Sequence, residues 1–63
     1  MATYTFNKQR KGMERRVYAR RNGNYCGFLI AVFYSNAEQD AALSDTEALS
    51  ALAERVYNGL YRN

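Results

Sequence analysis

Apolar and polar residues alternate through the middle of the chain and then recur at helical spacing through its last third. The alternating part centres on Asn22-Gly23. Asn-Gly is the strongest short signal for a β-hairpin, because a type I′ turn needs positive φ at both central residues. A two-residue loop sets Arg21 opposite Asn24, Ala19 opposite Cys26, Val17 opposite Phe28 and Arg15 opposite Ile30. A three-residue loop that takes in Asn24 slips this register by one. Side chains alternate across a strand. One side therefore carries Met13, Val17, Ala19, Cys26, Phe28, Ile30, Val32 and Tyr34, interrupted only by Arg15; this is the expected core face. The other carries Arg16, Tyr18, Arg20, Tyr25, Leu29 and Phe33 and is expected to face outward.

The flanks complete the picture. Residues 3–6 alternate β-branched and aromatic types and predict a short first strand, with Tyr4 and Phe6 inward. Residues 8–12 read as a basic loop ending in glycine. Strands over 13–21 and 24–34 then make an antiparallel meander with the second strand central and the third at an edge. That third strand is apolar on both sides, and residues 26–34 hold none of the lysine, proline or bulge that usually guards an edge. It is either covered by later chain or pairs with another protein molecule. Ser35-Asn-Ala-Glu38 and Ser44-Asp-Thr-Glu47 both match a capping box. The first opens a single short turn over 37–43. The second opens the main helix, on which Leu49, Leu52, Ala53 and Val56 share a stripe that Leu60 extends. Asn58-Gly59 supplies its stop, with Leu60 and Tyr61 folding back. The expected architecture is α+β: residues 1–63 as one βββα domain, a three-stranded antiparallel sheet with one C-terminal helix across its apolar face.

Charge sharpens this outline. Residues 1–24 hold Lys8, Arg10, Lys11, Arg15, Arg16, Arg20 and Arg21 against Glu14 alone, a balance of +6, whereas residues 25–63 balance at −3. Such asymmetry points to a polyanionic or acidic partner for the sheet side. A chain of 63 residues has a thin stability margin. One cysteine and no histidine exclude an internal disulfide and the usual zinc sites, so no metal and no cofactor are expected. The apolar run over 28–34 is far too short to span a membrane, and no signal-peptide pattern opens the chain, so a cytoplasmic location is expected. No Gly-rich phosphate loop or carboxylate pair is present, and the acidic residues sit at helix starts and in loops. The expectation is a protein that is not an enzyme and takes no small-molecule substrate.

The chemistry left is that of binding. Arg16, Tyr18, Arg20, Arg21 and Tyr25, flanked by Lys8, Arg10 and Lys11, combine guanidinium forks for phosphates and guanine edges with rings that stack on bases. The same residue types dominate protein–protein hot spots, so nucleic acid and a protein surface are both open.

Tyr18, Arg20, Asn22, Gly23, Tyr25 and Cys26 form a Tyr-x-Arg-x-Asn-Gly-x-Tyr-Cys pattern that resembles the arm-type DNA-binding domain at the N-terminus of lambda-type phage integrases. Thr46-Glu47-Ala48 falls in the helix region, as a similar triplet does in that family. The resemblance implies a three-stranded sheet backed by one helix and entering the DNA major groove, with Arg16, Tyr18, Arg20 and Tyr25 toward DNA. The departure is the strongly apolar run over 28–33. In size and style the chain is also similar to small phage-encoded inhibitors, anti-CRISPR proteins among them, which occupy surfaces on host nucleoprotein complexes. That likeness implies a protein–protein contact through Leu29, Phe33 and Tyr34, or a homodimer through the same residues.

Overall fold

The computed structural model describes residues 2–22 and 26–61. Three strands, β1 (Tyr4–Lys11), β2 (Glu14–Arg21) and β3 (Phe28–Phe33), form an antiparallel sheet in the order β1-β2-β3. Two helices follow among the described residues, α1 (Asn36–Ser44) and α2 (Thr46–Tyr61). The α+β class and the meander are as expected, but two helices, not one, follow the sheet.

β1 is twice as long as residues 3–6 suggested and runs through the stretch expected to be a loop. Gly12 is the turn residue, with a φ of 61° that a side chain would strain. The register from Tyr4↔Arg21 to Lys11↔Glu14 is unbroken. The polar residues of Asn7 to Lys11 form a strand because β2 supplies its hydrogen bonds, and the charges guard an outer edge.

β2 and β3 pair differently from the two-residue-loop register. Ala19 faces Phe28 and Tyr18 faces Leu29; a bulge then changes the offset, so that Val17 faces Ala31 and Arg15 faces Phe33. The first offset differs from the expected one by two residues, which preserves faces, so Val17, Ala19, Phe28 and Ile30 are buried as expected. The bulge at Ile30 inverts the faces beyond it. Phe33 and Ala31 therefore pack against the core, while Val32, expected inside, is exposed. Tyr34 and Met13, also expected inside, are 70% and 79% exposed because both lie just beyond strand ends. Cys26, two residues before β3, is exposed rather than buried. Asn22 has φ 52°, and its N–H donates to Thr3 O at 2.7 Å. Gly23, and with it the second half of the turn, lies outside the described residues.

Both helices lie on one side of the sheet. Ser35 caps α1, its Oγ accepting from Glu38 N at 3.1 Å. Asp45, not Ser44, caps α2: its Oδ1 accepts from Ala48 N at 3.2 Å, and its own N–H closes α1 onto Ala42 O. Leu49 and Ala53 meet Val17, Ala19, Phe28 and Ile30 in the core, with Leu52 and Val56 partly buried beside them. Gly59 does not stop α2, which continues to Tyr61. Tyr57 and Tyr61 pack on Phe28, with ring centroids 6.0 and 6.4 Å away, and leave Leu60 exposed. No helix among the described residues is long and apolar enough to cross a membrane.

Candidate nucleic-acid interface on the helix-free sheet face

The cross-strand pairs sort the side chains into two sets, because residues directly opposite each other share a face. Val17 and Ala19 face the helices, and with them Tyr4, Phe6, Lys8, Arg10, Arg15 and Arg21. The other face carries Thr5, Asn7, Gln9 and Lys11 from β1, Glu14, Arg16, Tyr18 and Arg20 from β2, and Leu29 and Val32 from β3. Among the described residues no helix covers this second face.

Arg16, Tyr18 and Arg20 therefore stand in a row on the open face, as expected. Arg16 is fixed in place: Nε donates to Glu14 Oε1 at 2.6 Å, Nη2 pairs with the same oxygen at 2.6 Å, and Nη1 donates to Tyr18 Oη at 3.1 Å. These hydrogen bonds, to Tyr18 first and Glu14 second, raise the guanidinium pKa and hold its charge. Arg20 is exposed. Between β1 and β2, Thr5, Asn7, Gln9, Tyr18, Arg20 and Gly27 line a shallow polar basin. Asn7 and Gln9 are the residues that sequence reasoning missed. The signal was there, since the alternation of Tyr4 and Phe6 continues through Lys8 and Arg10, but an all-polar stretch looks like a loop.

The other expected binding residues divide. Lys11 lies on the open face, opposite Glu14. Lys8 and Arg10 lie on the helix side, where Lys8 Nζ pairs with Asp40 at 3.4 Å across an exposed gap. Arg15 joins them, donating to Asn36 Oδ1 at 2.6 Å and Gly12 O at 3.1 Å. Arg21 is committed to structure: its guanidinium lies 4.2 Å from the Tyr57 ring centroid, a cation–π arrangement. Its cross-strand partner Tyr4 donates its hydroxyl proton to Glu54. The pKa of Arg21 is raised, by the neighbouring Tyr4 hydroxyl above all. That of Tyr4 is raised too, first by burial and then by the Glu54 carboxylate. Tyr25 lies outside the described residues. Leu29 is exposed on the open face, Phe33 belongs to the core, and Tyr34 projects beyond the end of β3. Among the described residues no group of His, Cys, Asp and Glu side chains forms a metal site.

The open face thus offers a line of cations and hydrogen-bonding side chains with a tyrosine at its centre. Leu29 and Val32 border it as an apolar strip. Guanidinium forks suit phosphate oxygens and guanine edges, and side-chain amides suit adenine edges. No protein-family model, curated protein or solved structure matches this chain, so the functional reading rests on this geometry.

Proposed function

We propose that the chain is a non-enzymatic binding module, of the type carried by phages and mobile elements, that binds nucleic acid through its helix-free sheet face. The observation that carries this reading is the shared face itself. Arg16, Tyr18 and Arg20 stand beside Thr5, Asn7 and Gln9, with the helices on the opposite side. Arg and Lys neutralise phosphates, Asn and Gln match adenine edges, Arg matches guanine, and a β-ribbon is narrow enough for the major groove of DNA. The resemblance to integrase arm-binding domains agrees with this use of the face.

The alternative reading, an anti-CRISPR-like inhibitor that blocks a nucleoprotein complex by protein contact, draws on Leu29 and Val32, which expose apolar surface on the same face. Fluorescence anisotropy with a short mixed-sequence duplex separates the two. Three open-face cations predict a slope of log K against log salt of about −2 to −3, because Arg16 is already paired with Glu14. Engagement of the helix-side cations as well would bring the slope to about −6. Arg16→Ala with Arg20→Ala is expected to cost at least tenfold in affinity. Lys8→Ala with Arg10→Ala removes the same charge from the other side and is expected to cost far less. Equal losses, or no duplex binding at low salt, reject the reading.

A further inference from the structure

Arg10 and Arg15 stand directly opposite each other at the turn end of the β1–β2 hairpin, on the helix side of the sheet. Like charges so placed repel each other and destabilise the pair. Arg15 donates to two neutral acceptors, Asn36 Oδ1 at 2.6 Å and Gly12 O at 3.1 Å. The Arg10 guanidinium has no hydrogen-bond or ion-pair partner among the described residues. Both line an open cleft of about 350 Å³ between β1 and α1, together with Lys8, Asn36, Gln39 and Asp40. Asp40 is the carboxylate on that wall, and it pairs with Lys8 at 3.4 Å. Glu38, its acidic neighbour on α1, lines a separate groove beside β3. Among the described residues the cleft therefore holds two guanidiniums with no counter-charge.

We propose that this cleft binds inorganic phosphate or a phosphate monoester, held between the Arg10 and Arg15 guanidiniums. Charge selects the ligand class: two guanidiniums match an anion of about −2, the charge a phosphate monoester approaches at neutral pH. A backbone phosphate of nucleic acid, singly charged, matches the pair less well. Geometry agrees, since guanidinium forks take phosphate oxygens through paired, charge-assisted hydrogen bonds. Arg15 is already positioned for this. Its Nε is tied to Asn36 and its Nη1 to Gly12, which leaves Nη2 with no partner among the described residues. Gln39 stiffens the cleft, its buried side chain donating from Nε2 to Arg16 O at 2.9 Å. An anion between the arginines also relieves their repulsion, so binding stabilises the fold. The site lies on the opposite side of the sheet from Arg16, Tyr18 and Arg20 and does not depend on that row binding nucleic acid.

The whole chain, in phosphate-free buffer at low salt, is titrated with inorganic phosphate, with adenosine monophosphate, and with sodium chloride at matched ionic strength. In ¹H–¹⁵N NMR the Arg15 Nε–H and the Asn36 side-chain amide are expected to shift saturably with both phosphates in the millimolar range, and not with chloride. Which of the two binds more tightly tells a free-anion site from one for a phosphorylated ligand. Arg10→Gln breaks no side-chain hydrogen bond or ion pair among the described residues. It is expected to fold, to be at least as stable as the parent without phosphate, and to weaken binding of either probe about tenfold. In thermal unfolding, phosphate is expected to raise the Tm of the parent and to leave that of Arg10→Gln nearly unchanged. Shifts that chloride reproduces, or that Arg10→Gln leaves intact, overturn the proposal. So does an Arg10→Gln protein less stable than the parent in phosphate-free buffer. These readouts involve no nucleic acid, so they stand or fall apart from duplex binding by the open face.

Discussion

Gln39 is the one buried polar residue among the described residues, and it attaches α1 to the sheet. Its Nε2 donates to Arg16 O at 2.9 Å and reaches Gln9 O at 3.5 Å, bridging a β1–β2 pair from the helix side. Gln39→Ala removes the donor and strands a strand carbonyl, a loss of about 1–1.5 kcal/mol. It also removes one buried methylene, worth about 0.8 kcal/mol. The expected total is about 2 kcal/mol, which lowers Tm by about 8–16 °C in a chain of this size. Gln39→Leu keeps the apolar contact and loses only the hydrogen bond, so it is expected to cost about 1 kcal/mol. Urea unfolding followed by circular dichroism measures both, with an unchanged m-value as the check that only stability has moved. If both variants fall within about 0.5 kcal/mol of the parent, the amide is not holding α1 and this account of its packing is wrong.

The cap of α2 yields a second expectation: Asp45→Ala costs about 1 kcal/mol, whereas Ser44→Ala stays within about 0.5 kcal/mol. The opposite order in urea unfolding would place the cap one residue earlier. At high pH, the raised Tyr4 pKa means the folded state keeps its proton after the unfolded state releases it near pH 10. The stability held by the neutral hydroxyl is present below about pH 10 and is lost as pH rises through the folded-state pKa. Tyr4→Phe is therefore expected to be the less stable protein at about pH 8 and to close that gap as pH rises above 10. A gap that widens with alkali contradicts the Tyr4–Glu54 contact.

Much of this architecture was legible because the core face is written in period two and the α2 stripe in period 3.6. Val17, Ala19, Phe28, Ile30, Leu49 and Ala53 follow directly from those periods. The register was not legible, and β3 shows why. A strand that is apolar at every position carries no alternation, so neither its offset nor a bulge at Ile30 leaves a trace. The inversion of Val32 and Phe33 is the direct result. α1 shows in the sequence only as a short turn, because its buried contact is an amide, Gln39, set between Glu38 and Asp40, and gives almost no apolar stripe.

The binding residues divide in the same way. Arg16, Tyr18 and Arg20 were placed by strand alternation alone. Lys8, Arg10 and Arg21 were grouped with them by charge, and charge says nothing about which face a side chain takes. Arg21 shows the difference most plainly: its guanidinium lies over the Tyr57 ring, linking the basic sheet to the acidic helix.

The most direct measurement uses side chains that report on opposite faces of the sheet. In a titration with duplex DNA followed by ¹H–¹⁵N NMR, the side-chain amides of Asn7 and Gln9 and the Nε–H groups of Arg16 and Arg20 are expected to shift. Those of Asn36 and Gln39, behind the sheet, are expected to stay in place. Shifts confined to Asn36 and Gln39, with Asn7, Gln9, Arg16 and Arg20 silent, would contradict the central claim.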